Sequence, residues 1–136
     1  MFEHFIAAQD PVYPQVLAEL RTGQKRNHWM WFIFPQLRDL GRSATAQHFG
    51  LAGLAEARAY AGHALLGGRL RECVTLANAV EARTARQVFG TPDDLKYRSC
   101  VTLFGAATAE PLFQAALDRF YDGAPDALTL ELIGRL

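Results

Sequence analysis

Basic and aromatic side chains are concentrated between residues 21 and 42. Five basic residues stand there against one acid, a formal charge of +4, and they flank the aromatic run "NHWMWFIFPQ". Fixed positive charge beside stacking surfaces is what a site for a small anion with a planar ring requires. The basic residues are Arg21, Lys25, Arg26, Arg38 and Arg42, and the acid is Asp39.

Three side chains in the run are polar or amphipathic, and a buried imidazole, indole N–H or amide must find a partner. We therefore interpret His28, Trp31 and Gln36 as site residues. His28 is the candidate catalytic acid or base, since an ordinary imidazole has a pKa of about 6.5. Trp31 would stack on a ring.

The basic residues would hold the anionic group of the ligand. We assign this role to Lys25, Arg26 and Arg42, and we expect an aromatic helix to begin at Asn27 and add free backbone N–H groups. The structural alternative is that these cations cap helix ends and pair with surface acids. Trp29, Phe32 and Ile33 are expected in the core under either interpretation.

A second polar row lies in the segment "DDLKYRSCVTLF". Lys96, Ser99 and Thr102 step by three along a predicted helix, and we include Lys96 and Ser99 among the candidate ligand-binding residues because this row could meet the first cluster across the core. The alternative is a solvated helix face whose hydroxyl groups bond back to backbone carbonyls.

Several common kinds of site are not indicated by the sequence. It has no glycine-rich phosphate loop, no paired histidines with metal-ligand spacing and no serine nucleophile motif, so we predict neither a metal nor a cofactor. The adjacent acids Asp93 and Asp94 fit the first turn of a helix. The equal numbers of basic and acidic residues, 14 each, argue against nucleic acid as a partner.

Helix signals follow one another along the chain, and strand signals are nearly absent. For the aromatic run a buried strand is the competing interpretation, because the run is short. The segments predicted to be helical run from Asp10 to Gly23, from Asn27 to Pro35, from Ser43 to Phe49, from Leu54 to Tyr60, from His63 to Val80, from Thr84 to Gly90, from Thr91 through Phe104, from Phe113 to Gly123 and from Pro125 to Leu136.

These patterns predict an all-α fold, a single compact domain over residues 1–136 with about six to eight short helices around the buried aromatic helix. Half of the residues are hydrophobic, which suffices for a core in a chain of this length. Cys73 and Cys100 share no metal or redox spacing, so we expect reduced thiols and a cytoplasmic location. No signal peptide or membrane span is indicated.

The sequence resembles, almost end to end, the domain-of-unknown-function family numbered 1810. The resemblance is carried by "KRNHWMWFIFPQ" followed by "LGRS", by "VFGTPDDLKYRSCVTLF" and by "DALTLELI". It implies an all-α single domain and no particular reaction. Some relatives are labelled calpastatin, but calpain-inhibitory segments resemble disordered polar chains, unlike this composition. The sequence departs from the family pattern at Asn27, Ala64 and Gly68.

The functional prediction is therefore a small anionic or nucleotide-like ligand in a pocket walled by the aromatic helix, with enzymatic activity left open. The alternative is a non-catalytic structural or protein-interaction module. The sequence leaves the oligomeric state open.

Overall fold

The computed structural model describes residues 1–134, and this part of the chain folds into ten α-helices and one 3-10 turn, Arg38–Leu40. It contains no strand, only an isolated parallel bridge between Leu37 and Leu51, so the predicted all-α class is confirmed. The helices are α1 (Glu3–Gln9), α2 (Tyr13–Thr22), α3 (Met30–Ile33), α4 (Ala44–Phe49), α5 (Leu54–Gly62), α6 (Ala64–Asn78), α7 (Ala85–Phe89), α8 (Asp93–Thr108), α9 (Pro111–Tyr121) and α10 (Ala127–Gly134).

The ten helices within residues 1–134 exceed both the six to eight predicted for the fold and the nine segments assigned as helical. One of them, α1, carries no sequence boundary signal, and no side chain caps its N-terminus. It forms because Phe5 and the neighbouring Phe2 are buried in the same core as the rest of the chain. Tertiary burial here replaces the local signals on which sequence patterns depend.

The predicted start of α2 at Asp10 is wrong. The helix begins at Tyr13, after the uncapped residue Val12, because Asp10 has a helical backbone as the C-cap of α1 and its carboxylate binds the Arg69 guanidinium at 2.8 Å. The predicted end is right, since Gly23 adopts a left-handed conformation with φ 78° and closes the last turn. That conformation favours glycine.

The aromatic helix is much shorter than predicted. α3 has four residues, Met30–Ile33, and it begins after Trp29 rather than at Asn27. The strand alternative is also wrong. The run is not buried on every side, since Trp31 and Phe32 are only half-buried whereas Trp29 and Ile33 are in the core.

The long helix α8 organises the core. It packs against α5, α7, α9, α10 and α3, and the stripe that the sequence predicted on it, Tyr97, Cys100, Val101 and Phe104, is fully buried. Cys73 on α6 and Cys100 are buried free thiols. No helix within residues 1–134 combines the length and apolar character needed to cross a membrane.

The segment after α3 folds back on itself, so that the backbone at Gly50 and Leu51 lies against the backbone at Gln36 and Arg38. The backbone N–H of Leu51 donates to the Gln36 carbonyl at 3.0 Å, and that of Arg38 donates to the Leu51 carbonyl at 2.8 Å. A Cβ atom at Gly50 would lie 2.4 Å from the Arg38 Cα atom, so only glycine fits here. Helix α4, capped by Ser43 as predicted, is thereby held beside α3.

Candidate functional site

Two adjoining cavities lie between α3, α4 and the start of α8, each with a volume of about 270 Å³. They share Met30, Trp31 and Phe49 as a common wall. The Gln36 cavity is further lined by Phe34, Gln36, Leu40, Arg42, Ala46 and Lys96, among others. The His28 cavity is further lined by Lys25, His28, Phe32, Thr45 and Asp93.

Asp93, in the first turn of α8, binds two lysines. Its Oδ2 atom lies 2.8 Å from the Lys25 Nζ atom, and its Oδ1 atom lies 3.6 Å from the Lys96 Nζ atom. The Lys25 side chain is only 7% exposed and its ammonium group also lies over the Trp29 ring, 5.2 Å from the centroid. One carboxylate therefore serves two ammonium groups, and the cluster keeps a surplus of positive charge.

Lys96 is the lysine with the weaker ion pair. Its Nζ atom lies 3.1 Å from the centroid of the Trp31 ring, which fixes the ammonium group at the wall of the Gln36 cavity. Loss of solvent lowers the pKa of Lys96 and the charge of Lys25 lowers it further, whereas Asp93 opposes the shift. Lys96 is thus a cation whose neutral form is more accessible than that of an ordinary lysine.

Six of the eight residues that the sequence placed in a site line these cavities: Lys25, His28, Trp31, Gln36, Arg42 and Lys96. Arg26 lines neither cavity, and its guanidinium group donates to the Gln24 side chain at 3.2 Å.

Ser99 also lies outside both cavities. Its hydroxyl group donates to the Leu95 carbonyl and to the Asp126 carboxylate, each at 3.2 Å, and so joins α8 to the segment before α10. Thr102 of the same polar row accepts a hydrogen bond from the Asp126 backbone at 2.9 Å. Only Ser99 bonds back to a backbone carbonyl as the structural alternative proposed, and the predicted solvated face is wrong because both residues are buried.

The backbone donors expected to bind a ligand anion near Asn27 are occupied by Glu19 of α2. The Glu19 Oε1 atom accepts from the backbone N–H groups of Arg26 and Asn27 at 2.6 and 3.1 Å and from the Trp29 indole at 3.0 Å. The Asn27 side chain donates to Oε2 at 2.8 Å. These bonds hold the loop before α3 in place, and they prevent a helix from starting at Asn27.

Burial raises the pKa of Glu19, but the hydrogen bonds from Arg26, Asn27 and Trp29 outweigh it and lower the pKa to about 2. The sequence reasoning missed this residue. One signal was present: Glu19 lies beside Leu20 in the predicted apolar stripe of α2, and a carboxylate that is buried there needs several donors.

One buried polar atom in the wall of the cavities, the Trp31 indole nitrogen, has no hydrogen-bond partner within the described chain. Buried polar groups are nearly always paired. Trp31 therefore combines an unpaired donor, a bound cation on its ring and a position in the wall of both cavities.

The fold and the site define a small all-α protein with a paired cavity bordered by lysines and a tryptophan. The chain belongs to the family described as protein of unknown function DUF1810, whose model matches residues 1–133. It is similar to the conserved hypothetical protein Rv1873 from Mycobacterium tuberculosis, whose crystal structure superimposes with a TM-score of 0.96. The identity is 50%, over 98% of this chain and 96% of that one. The comparison with curated proteins finds no significant match.

Proposed function

We propose that the protein binds a small organic anion in the cavities on either side of Trp31. The observation that carries this proposal is the position of the Lys96 ammonium group, held between Asp93 and the Trp31 ring at the wall of a mainly apolar cavity. Maintaining a surplus cation there costs desolvation energy. An anionic ligand would offset that cost.

The shape of the site supports a ligand with an apolar or ring-shaped part. Met30, Phe34, Leu40 and Phe49 form apolar walls, which suit a planar or aliphatic group. A volume of about 270 Å³ lies near the lower end for small-molecule sites, roughly 300–1,000 Å³. One cavity thus suits a small metabolite, and a nucleotide-sized ligand would need both.

A thermal-shift screen tests the proposal. Pyruvate, benzoate and adenosine monophosphate represent small, aromatic and nucleotide-like anions. A ligand at 100 times its dissociation constant should stabilise the protein by about 2.7 kcal/mol. Lys96→Met removes the charge at similar length and should abolish the shift, whereas Arg26→Ala, a basic residue outside both cavities, should retain it.

Absence of any anion-induced shift in the wild type, or equal shifts in Lys96→Met and the wild type, would overturn the proposal. The second candidate, a non-catalytic interaction module, is favoured by the exposed leucines Leu95, Leu128 and Leu130 on α8 and α10. It predicts no ligand-induced stabilisation.

Catalysis by His28 is a separate extension of the proposal. The imidazole lines the His28 cavity together with Lys25 and Asp93, so it would face a ligand bound on that side of Trp31. We also infer a cytoplasmic location, which the two free thiols support because a reducing compartment preserves them.

A further inference from the structure

The two lysines of the chain lie at one place in the fold. Of its 14 basic residues, Lys25 and Lys96 are the only lysines and the other twelve are arginines, yet both lysines bind the same carboxylate, Asp93. Arginine stays charged at all accessible pH values, whereas lysine loses its proton readily when partly buried. Both side-chain amines of the protein therefore lie at the proposed ligand site.

The two lysines differ in their access to a ligand. Lys25 has the shorter ion pair, 2.8 Å against 3.6 Å, and its side chain is 7% exposed against 22% for Lys96. Lys96 lines the Gln36 cavity, and the Trp31 ring fixes its amine there. Lys25 thus neutralises Asp93, which leaves Lys96 as the amine that a molecule bound in the Gln36 cavity would meet.

We propose that Lys96 is a nucleophilic lysine that forms an imine with the carbonyl carbon of a small 2-oxo acid or aldehyde acid. The inference rests on the proposed function, because the same cavity must first bind the acid as an anion. Arg42 lines this cavity, and a guanidinium group is suited to hold a carboxylate through two parallel hydrogen bonds.

The reaction is a condensation and needs no oxidant or reductant. The neutral Lys96 amine attacks the carbonyl carbon, a C–N bond forms, and the carbonyl oxygen takes up a proton. That proton comes from the nitrogen, whose second proton then passes to the same oxygen. The C–O bond breaks as the oxygen leaves as water, and the nitrogen lone pair forms the C=N double bond of the imine. The Asp93 Oδ1 atom, 3.6 Å from the nitrogen, is the nearest carboxylate to relay these protons.

The surroundings of Lys96 favour this chemistry in two ways. A partly buried lysine beside a second cation is the usual arrangement of amines that form imines in enzymes, and the lowered pKa of Lys96 agrees with it. The apolar walls at Met30, Phe34 and Leu40 disfavour the charged form of the amine, which is the form that cannot attack a carbonyl carbon.

Reductive trapping tests the proposal on the full chain. The protein is incubated at pH 7 with pyruvate or glyoxylate and cyanoborohydride, which converts an imine into a stable secondary amine, and peptides are mapped by mass spectrometry. Only three amines compete: Lys96, Lys25 and the exposed α-amine of Met1. Lys96 should carry most of the adduct, and its labelling should saturate with pyruvate concentration.

Two variants sharpen the result. Lys96→Arg keeps the positive charge and removes the nucleophilic amine. Benzoate should therefore still raise the melting temperature of this variant, but the adduct at position 96 should be lost. Arg42→Ala should raise the pyruvate concentration at half-saturation by about tenfold or more, because both charged hydrogen bonds to the carboxylate are lost.

The proposal that Lys96 is the nucleophile would be overturned by adducts confined to the α-amine or Lys25. It would also be overturned if Lys96 labelling rose linearly with pyruvate concentration and did not saturate. Lactate has a hydroxyl group in place of the 2-oxo group of pyruvate, so it can bind as an anion but cannot form an imine. It therefore separates the binding proposal from the nucleophile proposal. If lactate stabilises the wild type and not Lys96→Met while pyruvate traps nothing at Lys96, the binding proposal survives and the nucleophile is rejected. If lactate and pyruvate have no effect but benzoate or adenosine monophosphate stabilises the wild type and not Lys96→Met, the binding proposal also survives and the 2-oxo acid is rejected. If no anion stabilises the wild type and pyruvate traps nothing, both proposals fail.

Discussion

The Glu19 carboxylate accepts the indole N–H of Trp29 at 3.0 Å, and this bond joins α2 to the loop that precedes the candidate site. Two backbone N–H groups share the same oxygen atom. Glu19, at 7% exposure, thus positions Lys25 and His28 of this loop indirectly, by holding the backbone on which they stand.

Glu19→Gln should destabilise the protein by about 2–3 kcal/mol. The amide replaces one acceptor oxygen with a donor and removes the charge, so buried N–H groups lose their partner. Urea unfolding measures the change, and Glu81→Gln at an exposed position is the matched control. Equal midpoints for Glu19→Gln and the control would contradict the role assigned to Glu19.

The same carboxylate should make stability depend on acid pH. Its pKa is lowered to about 2 in the folded protein from an ordinary value near 4.5, so its contribution is complete above pH 4.5 and is lost as the pH falls towards 2. After allowance for solvent screening, the contribution is about 2 kcal/mol.

The stability difference between wild type and Glu19→Gln should therefore shrink by about 1 kcal/mol, a little over half of this contribution, between pH 6 and pH 3, as measured by urea unfolding across that range. Other titrating groups affect both proteins alike and cancel in the difference. A difference that stays constant down to pH 3 would contradict the lowered pKa of Glu19.

The two tryptophans should differ in their importance for stability. Trp29 is 2% exposed, so Trp29→Ala should cost about 3–5 kcal/mol, as for other buried aromatics. Trp31 is half-buried in the cavity wall, and Trp31→Ala should cost roughly half as much, since less apolar area is exposed anew. Thermal unfolding of both variants gives the order, and the reverse order would contradict the assignment of Trp29 to the core and Trp31 to the site.

Asp93 should control the reactivity of Lys96. Asp93→Asn removes the charge that favours the protonated amine, so the pKa of Lys96 should fall further. An ion pair of about 1 kcal/mol corresponds to a roughly fivefold larger neutral fraction. The rate of Lys96 acylation by a dilute amine-reactive ester at pH 7, read by peptide mapping, should rise by about that factor. Asp94→Asn is the control, and an unchanged rate in Asp93→Asn would show that Asp93 does not set the charge of Lys96.

The regular helices could be predicted from the sequence because their information is local. On α6 and α8 the apolar residues recur every three or four positions, and Thr84 and Ser43 cap the helices that follow them. The starts of α2 and α3 could not be predicted in this way. The start of α2 lies beyond Asp10 because that residue ends α1, and the start of α3 depends on the bonds from the preceding loop to Glu19 of α2.

In the candidate site, too, some features could be predicted from local sequence and others depend on tertiary contacts. The density of charge and aromatic rings pointed to a segment from which Lys25, Trp31, Gln36 and Arg42 line cavities. The sequence could not separate Arg26 from Lys25, because only the path of the loop decides which of two neighbouring cations faces the cavity. Asp93 was interpreted as a helix-start acid, and its second role appears only when α8 meets the loop carrying Lys25.

The most direct test of ligand binding at Lys96 and Trp31 uses the two tryptophans as reporters. The chain holds only Trp29 and Trp31, so a ¹⁵N–¹H spectrum has two indole signals, which Trp29→Phe and Trp31→Phe assign. On titration with pyruvate, benzoate or adenosine monophosphate, we expect the Trp31 signal to shift saturably with at least one of them, in the wild type and in Arg26→Ala but not in Lys96→Met. The Trp29 indole, bound to Glu19, should hardly move. A Trp31 signal that stays fixed with all three anions, or that shifts equally in Lys96→Met, would contradict the proposed site.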